Sequence, residues 1–194
     1  MKAKIKAKIN LEERTNLQDV IPLNIPFSIM IEPSDKCNFR CKFCPTSDIK
    51  LMNSIEGRNY GNMDLNLYKK VIDDLSEFDN NIKIVHLYNQ GEPLLNPNFV
   101  EMVKYAKKVG YINKVATTTN AALLNEELSL RIIDSNIDRI QISIEGINSQ
   151  QYFELSQVKI DFDKLLKNIE FFYKNKKNTD IFIKIVGNNL SDEE

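Results

Sequence analysis

The chain has 194 residues, 42% of them hydrophobic and 27% charged, which is typical of one globular domain with a single core. Its 26 basic and 27 acidic side chains give a net charge of −1, so composition provides no basic surface for nucleic acid. No uninterrupted apolar run reaches the roughly 18 residues of a membrane span, and the Lys-rich N-terminus precedes no apolar signal-peptide core. We therefore expect a cytoplasmic protein.

Short apolar runs alternate with segments of helical period along the chain. Strands are predicted at 27–31, 82–88, 114–119, 139–144 and 181–186. The helices between them are predicted to start at a cap on Asp64, at Asn96 with Pro97 in the first turn, at Asn125 and at about Asp163. This alternation favours a parallel sheet with helices outside, either doubly wound or a partial β/α barrel.

The C-terminal residues Ser191-Asp192-Glu193-Glu194 have the pattern of a capping box, which marks the start of a helix. We therefore expect a fold that is truncated after its fifth strand. The domain boundaries expected from the strand pattern are an N-terminal extension at 1–24 and a core domain, incomplete at its C-terminus, at 25–194.

All three cysteines, Cys37, Cys41 and Cys44, fall within one short segment directly after the first strand. An odd number of closely spaced thiols indicates metal ligands instead of a disulfide framework. Three thiolates suit a zinc site completed by His86, the single histidine, or by a carboxylate. They also suit three corners of a cubane iron–sulfur cluster with one open iron.

The spacing Cys37-x-x-x-Cys41-x-x-Cys44, with Phe43 before the last cysteine, resembles the signature of the radical SAM superfamily. This resemblance implies a partial (β/α)6 TIM-like barrel and a [4Fe-4S] cluster on the three cysteines. It also implies that the open iron binds S-adenosylmethionine (SAM), which is cleaved reductively to a 5′-deoxyadenosyl radical that abstracts hydrogen from a substrate. Phe43 would then lie beside the adenine of SAM.

The segment Gln90-Gly91-Glu92-Pro93 follows the second strand and resembles the GGEP motif of the same family, with Gln90 in place of the first glycine. The resemblance implies that Gly91, Glu92 and Pro93 hold the amino group of SAM. These residue types suit that role, because an ammonium needs acceptors and a glycine permits close approach of the backbone.

Two further motifs follow the third and fourth strands. Asn120 is similar to the asparagine of the family's Thr-Asn-Gly, with Ala121 in place of glycine. Ser143 and Glu145 are similar to the serine and the acid of Ser-x-Asp-Gly, with Glu in place of Asp. By resemblance, Asn120 would help to position SAM, and the last two would lie near its carboxylate and ribose.

Residues 144–148, Tyr152-Phe153 and 168–170 resemble the SPASM/Twitch branch, whose members carry a C-terminal extension for auxiliary clusters. The implied substrate is a peptide or a small molecule, and the implied electron donor is a flavodoxin or a ferredoxin; neither nucleic acid nor membrane is expected as a partner. Two alternatives remain: a non-catalytic iron–sulfur or zinc module on the same fold, and a plain α/β binding domain with reactive thiols. Lys184 is interpreted as either solvent-facing or directed at substrate, and His86 as either structural or functional.

Overall fold

The computed structural model describes residues 15–56 and 60–185. It contains one sheet of five parallel strands, whose spatial order follows the chain. The strands are β1 (Ser28–Ile31), β2 (Ile84–Leu87), β3 (Val115–Thr119), β4 (Arg139–Ile144) and β5 (Asp180–Ile185). All five predicted strands are confirmed; Val186, predicted to end the fifth, lies outside the described residues, as does the capping-box segment 191–194.

Six helices accompany the strands within the described ranges. They are α1 (Ile49–Ser54), α2 (Leu65–Asp74), α3 (Phe99–Lys108), α4 (Glu126–Asp134), α5 (Ser149–Ser156) and α6 (Phe162–Asn175). Short 3-10 turns occupy Leu17–Asp19, Pro45–Ser47, Leu75–Glu77 and Pro93–Leu95. The four predicted helices are present as α2, α3, α4 and α6, whereas α1 and α5 were not predicted. None of the helices described is long and apolar enough to cross a membrane.

The predicted start of α3 is wrong by two residues. Asn98, not Asn96, is the residue before the first helical turn, and Pro97 precedes the helix. The side chain of Asn96 is committed elsewhere, because its amide nitrogen donates to the carbonyl oxygens of Pro33 at 2.8 Å and Met63 at 2.9 Å. Asn96 therefore ties two loops together, and its Oδ1 also accepts from the backbone amide of Asn98 at 2.9 Å in the turn that precedes the helix.

Helix α6 begins within one residue of its predicted start, about Asp163. The helix begins at Phe162, because the carboxylate of Asp161 accepts from the backbone amide of Lys164 at 3.0 Å and caps the first turn. Leu166 belongs to the apolar pattern of this helix but is 44% exposed, whereas Leu165 and Phe172 are buried. The stripe that faces the core is thus narrower than the apolar pattern indicates.

The strand order distinguishes between the two architectures that the sequence leaves open. A doubly wound sheet reverses its strand order, whereas this sheet runs from β1 to β5 without reversal. Right-handed crossovers in one direction place every helix on the same face. The fold is therefore a partial β/α barrel.

The two faces of the sheet differ in polarity because side chains alternate along each strand. The face packed by the helices is apolar and buried; it includes Val85, Leu87, Val115, Ile140 and Ile142. The opposite face, here called the inner face, carries more polar side chains. Its members include Met30, His86, Ala116, Thr118, Arg139, Gln141, Ser143, Phe182 and Lys184.

Candidate active site

The cysteine loop, residues 37–44, leaves the carboxyl end of β1. Its three cysteines are free thiols of intermediate exposure. The Sγ of Cys37 accepts from the backbone amide of Phe39 at 3.4 Å, and the Sγ of Cys44 lies 3.0 Å from the hydroxyl of Thr46. Because the three thiols are partly exposed, a ligand can reach them.

The thiols share one electrostatic environment. Burial raises the pKa of Cys41 to about 12 and that of Cys37 above its usual value. The charge of Cys44 raises both pKa values further, and that of Cys37 adds to the effect on Cys41. A cationic centre reverses this balance, because it stabilises thiolates and displaces their protons.

The donor set fits an iron–sulfur cluster better than closed structural zinc. Across residues 15–56 and 60–185, no three His, Cys, Asp or Glu side chains, the three cysteines included, stand together as a ready-made metal site. His86 lies on β2 and does not join the cysteines in such a group. By number and type, three thiols from one loop suit the three protein-bound corners of a cubane, whereas structural zinc takes four protein ligands.

The last turn of helix α5 is hydrogen-bonded to the cysteine loop. The backbone amides of Arg40 and Lys42 donate to the carbonyls of Ser156 at 2.8 Å and Leu155 at 3.0 Å. Tyr152 of α5 also packs edge-on against Phe39, with ring centroids 6.2 Å apart. The last turn of α5 therefore fixes the position of the loop that carries the thiols.

The sequence carries a signal for α5 that the prediction missed. Asn148 caps the helix by accepting from the backbone amide of Gln151 at 2.9 Å, and Gln151 in turn accepts from that of Ile147 at 2.9 Å. Asn followed three residues later by Gln is a form of the capping box.

The loop after β2 packs directly against the segment before Cys37. A Cβ atom added to Gly91 would collide with the backbone carbonyl of Ser34 and lie 2.7 Å from that of Lys36. Glu32 accepts from the backbone amides of Gln90 at 2.6 Å and Gly91 at 3.0 Å. Sequence reasoning missed Glu32; its position directly after β1 is the available signal, since polar residues at strand ends meet at one sheet edge.

Glu92 connects this loop to the end of β3. Its side chain is 2% exposed, and its carboxylate accepts from the backbone amide of Leu94 at 3.0 Å, the hydroxyl of Thr119 at 2.7 Å and the backbone amide of Asn120 at 2.8 Å. Burial raises the pKa of Glu92, and these hydrogen bonds oppose the rise. Pro93 is buried and opens the 3-10 turn that follows.

Asn120 lies beside the cysteine loop. Its amide nitrogen donates to Oδ1 of Asn38 at 2.8 Å and lies 3.9 Å from the Sγ of Cys37. The next residue, Ala121, is buried with a φ of 59°, a left-handed conformation that favours glycine. The backbone at this position thus keeps the shape of the Thr-Asn-Gly turn although the residue is alanine.

Ser143 lies on the inner face near the end of β4, and Glu145 directly follows the strand. Ser143 pairs in register with Lys184 of β5. Glu145 is 5% exposed, and its Oε2 has no hydrogen-bond partner among the described residues. Burial raises the pKa of Glu145, the charge of Lys184 opposes this rise, and the charge of Glu145 in turn raises the pKa of Cys41.

Phe43 projects from the cysteine loop and is 58% exposed. It is therefore not a core residue of the part of the chain described here. The structure thus places Asn120 in contact with both Cys37 and Glu92. The charge of Glu145 acts on Cys41, whereas the side chain of Phe43 is exposed.

The radical SAM superfamily profile matches residues 31–194, most of the chain. The chain belongs to the radical SAM superfamily. Members of this superfamily use a [4Fe-4S] cluster and SAM, and most are enzymes.

Two curated relatives illustrate the range of the superfamily. The tungsten-containing aldehyde ferredoxin oxidoreductase cofactor-modifying protein of Pyrococcus furiosus is 28% identical over 123 residues, covering 63% of this chain and 32% of that protein. A probable GTP 3′,8-cyclase of Saccharolobus islandicus is 33% identical over 137 residues, covering 69% and 39%. This radical SAM chain thus spans less than half the length of either relative.

Crystal structures of Streptococcus suis SuiB, one bound to SAM and one to the precursor peptide SuiA, share the fold. Their TM-scores are 0.66 and 0.67, at 20% and 22% identity, and both comparisons cover 91% of this chain and 36% of SuiB. This likeness places the described sheet and helices of the radical SAM chain within a TIM-like barrel.

Proposed function

We propose that this radical SAM chain cleaves SAM reductively to a 5′-deoxyadenosyl radical, which abstracts hydrogen from a peptide or a small-molecule substrate. The observation that carries the proposal is the attachment of one loop with three free thiols to the ends of three other elements. Glu32 and Gly91 fasten the segment directly before it to the loop after β2, while Asn120 fastens the loop itself to β3 and Ser156 fastens it to α5. Such a rigid support is what a catalytic metal centre needs.

The cysteines would hold the cluster, which supplies one electron to SAM when bound. Because burial raises the pKa of Cys37 and Cys41, their thiols are protonated in the metal-free protein and release protons as the cluster loads. The side-chain amide of Asn120 is a hydrogen-bond donor 3.9 Å from the Sγ of Cys37. Donors near a ligating sulfur tune the reduction potential of a cluster.

The residues around the loop would position SAM. Gly91, Glu92 and Pro93 shape the turn for its amino group, and Glu92 does so through its bonds to Thr119 and Asn120. Oε2 of Glu145 is buried and unpartnered in the described part of the chain, so it is available to a ribose hydroxyl.

Phe43 is exposed and so available to stack on an adenine. Ser143 faces the interior of the barrel beside Lys184, in reach of a carboxylate.

The wider context is proposed on the same basis. We assign residues 1–24 to an N-terminal extension and residues 25–194 to the radical SAM core of a cytoplasmic protein that receives electrons from a flavodoxin or a ferredoxin. Both kinds of substrate occur in the superfamily, because the names of relatives include a PqqA peptide cyclase and a GTP 3′,8-cyclase. The SPASM/Twitch-like segments favour a peptide or a small molecule over nucleic acid.

A 5′-deoxyadenosine assay tests the proposal. The protein is reconstituted anaerobically with iron and sulfide and given SAM and dithionite. We expect 5′-deoxyadenosine from the wild type and from Lys42→Ala, which changes an exposed side chain of the same loop, and none from Cys41→Ala. A cluster without product would favour the non-catalytic iron–sulfur module, and zinc in place of iron would overturn the assignment.

A further inference from the structure

Arg139 has a buried nitrogen without an acceptor. It is the first residue of β4 on the inner face, and its guanidinium carbon lies 4.9 Å from the centroid of the Phe182 ring. Its buried Nε has no hydrogen-bond partner among the described residues. Asp180 is its register neighbour on β5, yet no ion pair joins the two. Arg139 is thus a half-buried cation held over an aromatic ring without a described counter-charge.

His86 lies on the same rung of the inner face. It pairs in register with Ala116, which pairs in turn with Arg139, so only a methyl group separates the two side chains across the sheet. Its Nδ1 is buried without a partner in the described part of the chain, and its ring packs edge-on against Tyr88 at 5.5 Å. Burial and the charge of Arg139 both lower the pKa of His86.

An oxyanion would satisfy both orphaned nitrogens. A buried cation without a partner is unfavourable, and a guanidinium presents a fork of donors that matches carboxylate and phosphate. An imidazole beside it donates a further hydrogen bond once an anion compensates the positive charge of the guanidinium. Ala116, whose side chain is a single methyl group, lies between Arg139 and His86 in the register of the sheet.

We propose that Arg139 and His86 bind an anionic group of the substrate, a carboxylate or a phosphate, on the inner face of the sheet. The word substrate rests on the function proposed above; the anion site itself does not.

The position of this anion site sets the length of the substrate. Arg139 and Ser143 are four residues apart on one strand, which corresponds to roughly 13 Å at about 3.3 Å per residue. Thr118 and Gln141 occupy the rung between them. A ligand that is anchored at Arg139 and reacts near Ser143 is therefore elongated, with hydrogen-bonding groups in its middle and an anionic group at its far end.

The single histidine of the chain makes the site directly observable. The imidazole signals of protein labelled with 15N-histidine are followed by NMR, without SAM or reductant, during titration with inorganic pyrophosphate or with glutarate. Sodium chloride at equal ionic strength is the reference. We expect a saturable shift with at least one of the two anions.

Arg139→Gln tests the role of the guanidinium. We expect binding to weaken at least about tenfold, which corresponds to the loss of charge-assisted hydrogen bonds. The matched control is Arg131→Gln, which removes an exposed guanidinium of α4 and leaves binding unchanged. Arg139→Lys keeps the positive charge but lacks the forked donors of the guanidinium. If Arg139→Gln fails to fold, a several-fold loss of anion affinity in Arg139→Lys tests the proposal instead.

Each outcome is decisive. A shift with pyrophosphate alone indicates a phosphate-bearing substrate, one with glutarate alone a carboxylate, and one with both supports the shared chemistry. No saturable shift beyond that of sodium chloride overturns the proposal, as does a shift that persists undiminished without Arg139. A positive titration beside a negative 5′-deoxyadenosine assay rejects only the proposed function, and the reverse pair of results rejects only the anion site.

Discussion

The backbone amide of Arg40 donates to the carbonyl of Ser156 at 2.8 Å, which joins the cysteine loop to the last turn of α5. Lys42 makes the equivalent bond to Leu155 at 3.0 Å. The last carbonyls of a helix have no partner within the helix, so the loop satisfies two acceptors that otherwise need water. The helix and the loop therefore stabilise each other, and changes at the end of α5 affect the cluster site.

Gln157→Gly should stabilise this junction. Gln157 ends α5 with a φ of 56°, a left-handed conformation that costs roughly 1–2 kcal/mol for a residue with a Cβ atom. After the greater freedom of glycine in the unfolded chain is subtracted, we expect about 0.5–1 kcal/mol of added stability in urea unfolding. Glu154→Gly, an exposed position within the same helix, should instead lose about 1 kcal/mol. Equal losses in both variants would contradict the role of the backbone conformation.

Gly91→Ala should damage the cysteine loop. The added Cβ atom would collide with the carbonyl of Ser34 and force apart the two loops that Glu32 holds together. We expect a loss of about 1–3 kcal/mol in stability and a reduced iron content after reconstitution. Gly110→Ala is the matched control, because a Cβ atom there meets nothing within 4 Å. Normal iron loading in Gly91→Ala would show that the contact between the loops does not shape the cluster site.

Glu92→Gln tests whether the carboxylate acts as a structural acceptor. The amide that replaces one carboxylate oxygen presents hydrogens to a backbone donor of Leu94 or Asn120, so at least one buried donor loses its acceptor. We expect a loss of about 1–3 kcal/mol in stability. The exposed pair of Glu101 and Lys104 supplies the control, since Glu101→Gln should change stability by less than about 0.5 kcal/mol. An unaltered urea midpoint in Glu92→Gln would reject this role.

The sequence predicts those parts of the fold that depend on repeated burial. The strands were predicted because apolar and β-branched residues recur in them, as in Ile140 and Ile142 of β4, and both are buried. Helix α5 was missed because only Tyr152 and Ser156 are buried along it, which is too few for an apolar stripe. A helix whose main contacts are made by backbone carbonyls needs few apolar side chains, so its sequence shows little hydrophobic periodicity.

The site was predictable only where side chains define the motif. The three cysteines follow from their spacing after a strand and Asn120 from its resemblance to a family motif, and the structure brings Cys37 and Asn120 together. Glu32 could not be found in this way, because its partners are backbone amides that no side-chain pattern reveals. The start of α3 was misplaced for a similar reason, since the carbonyl partners of Asn96 come from distant loops.

His86 predicts the pH dependence of stability. Its pKa in the folded protein lies below the ordinary value of 6.5, because burial and the charge of Arg139 disfavour the imidazolium. As the pH falls through 6.5, the unfolded chain takes up the proton first, so the free energy of unfolding decreases until the folded pKa is reached. The slope from this residue is at most about 1.4 kcal/mol per pH unit.

His86→Gln isolates this contribution, since the chain has no other histidine. Urea unfolding of both proteins, prepared without metal, is measured from pH 7.5 to 5.5. Above pH 6.5 the two stability profiles should run parallel, and below it the wild type should lose stability more steeply than the variant. The carboxylates are the same in both proteins, so the difference between the two profiles reports His86. A wild type that gains stability relative to His86→Gln on acidification would mean that the imidazolium is favoured in the folded state, and that Arg139 does not face it.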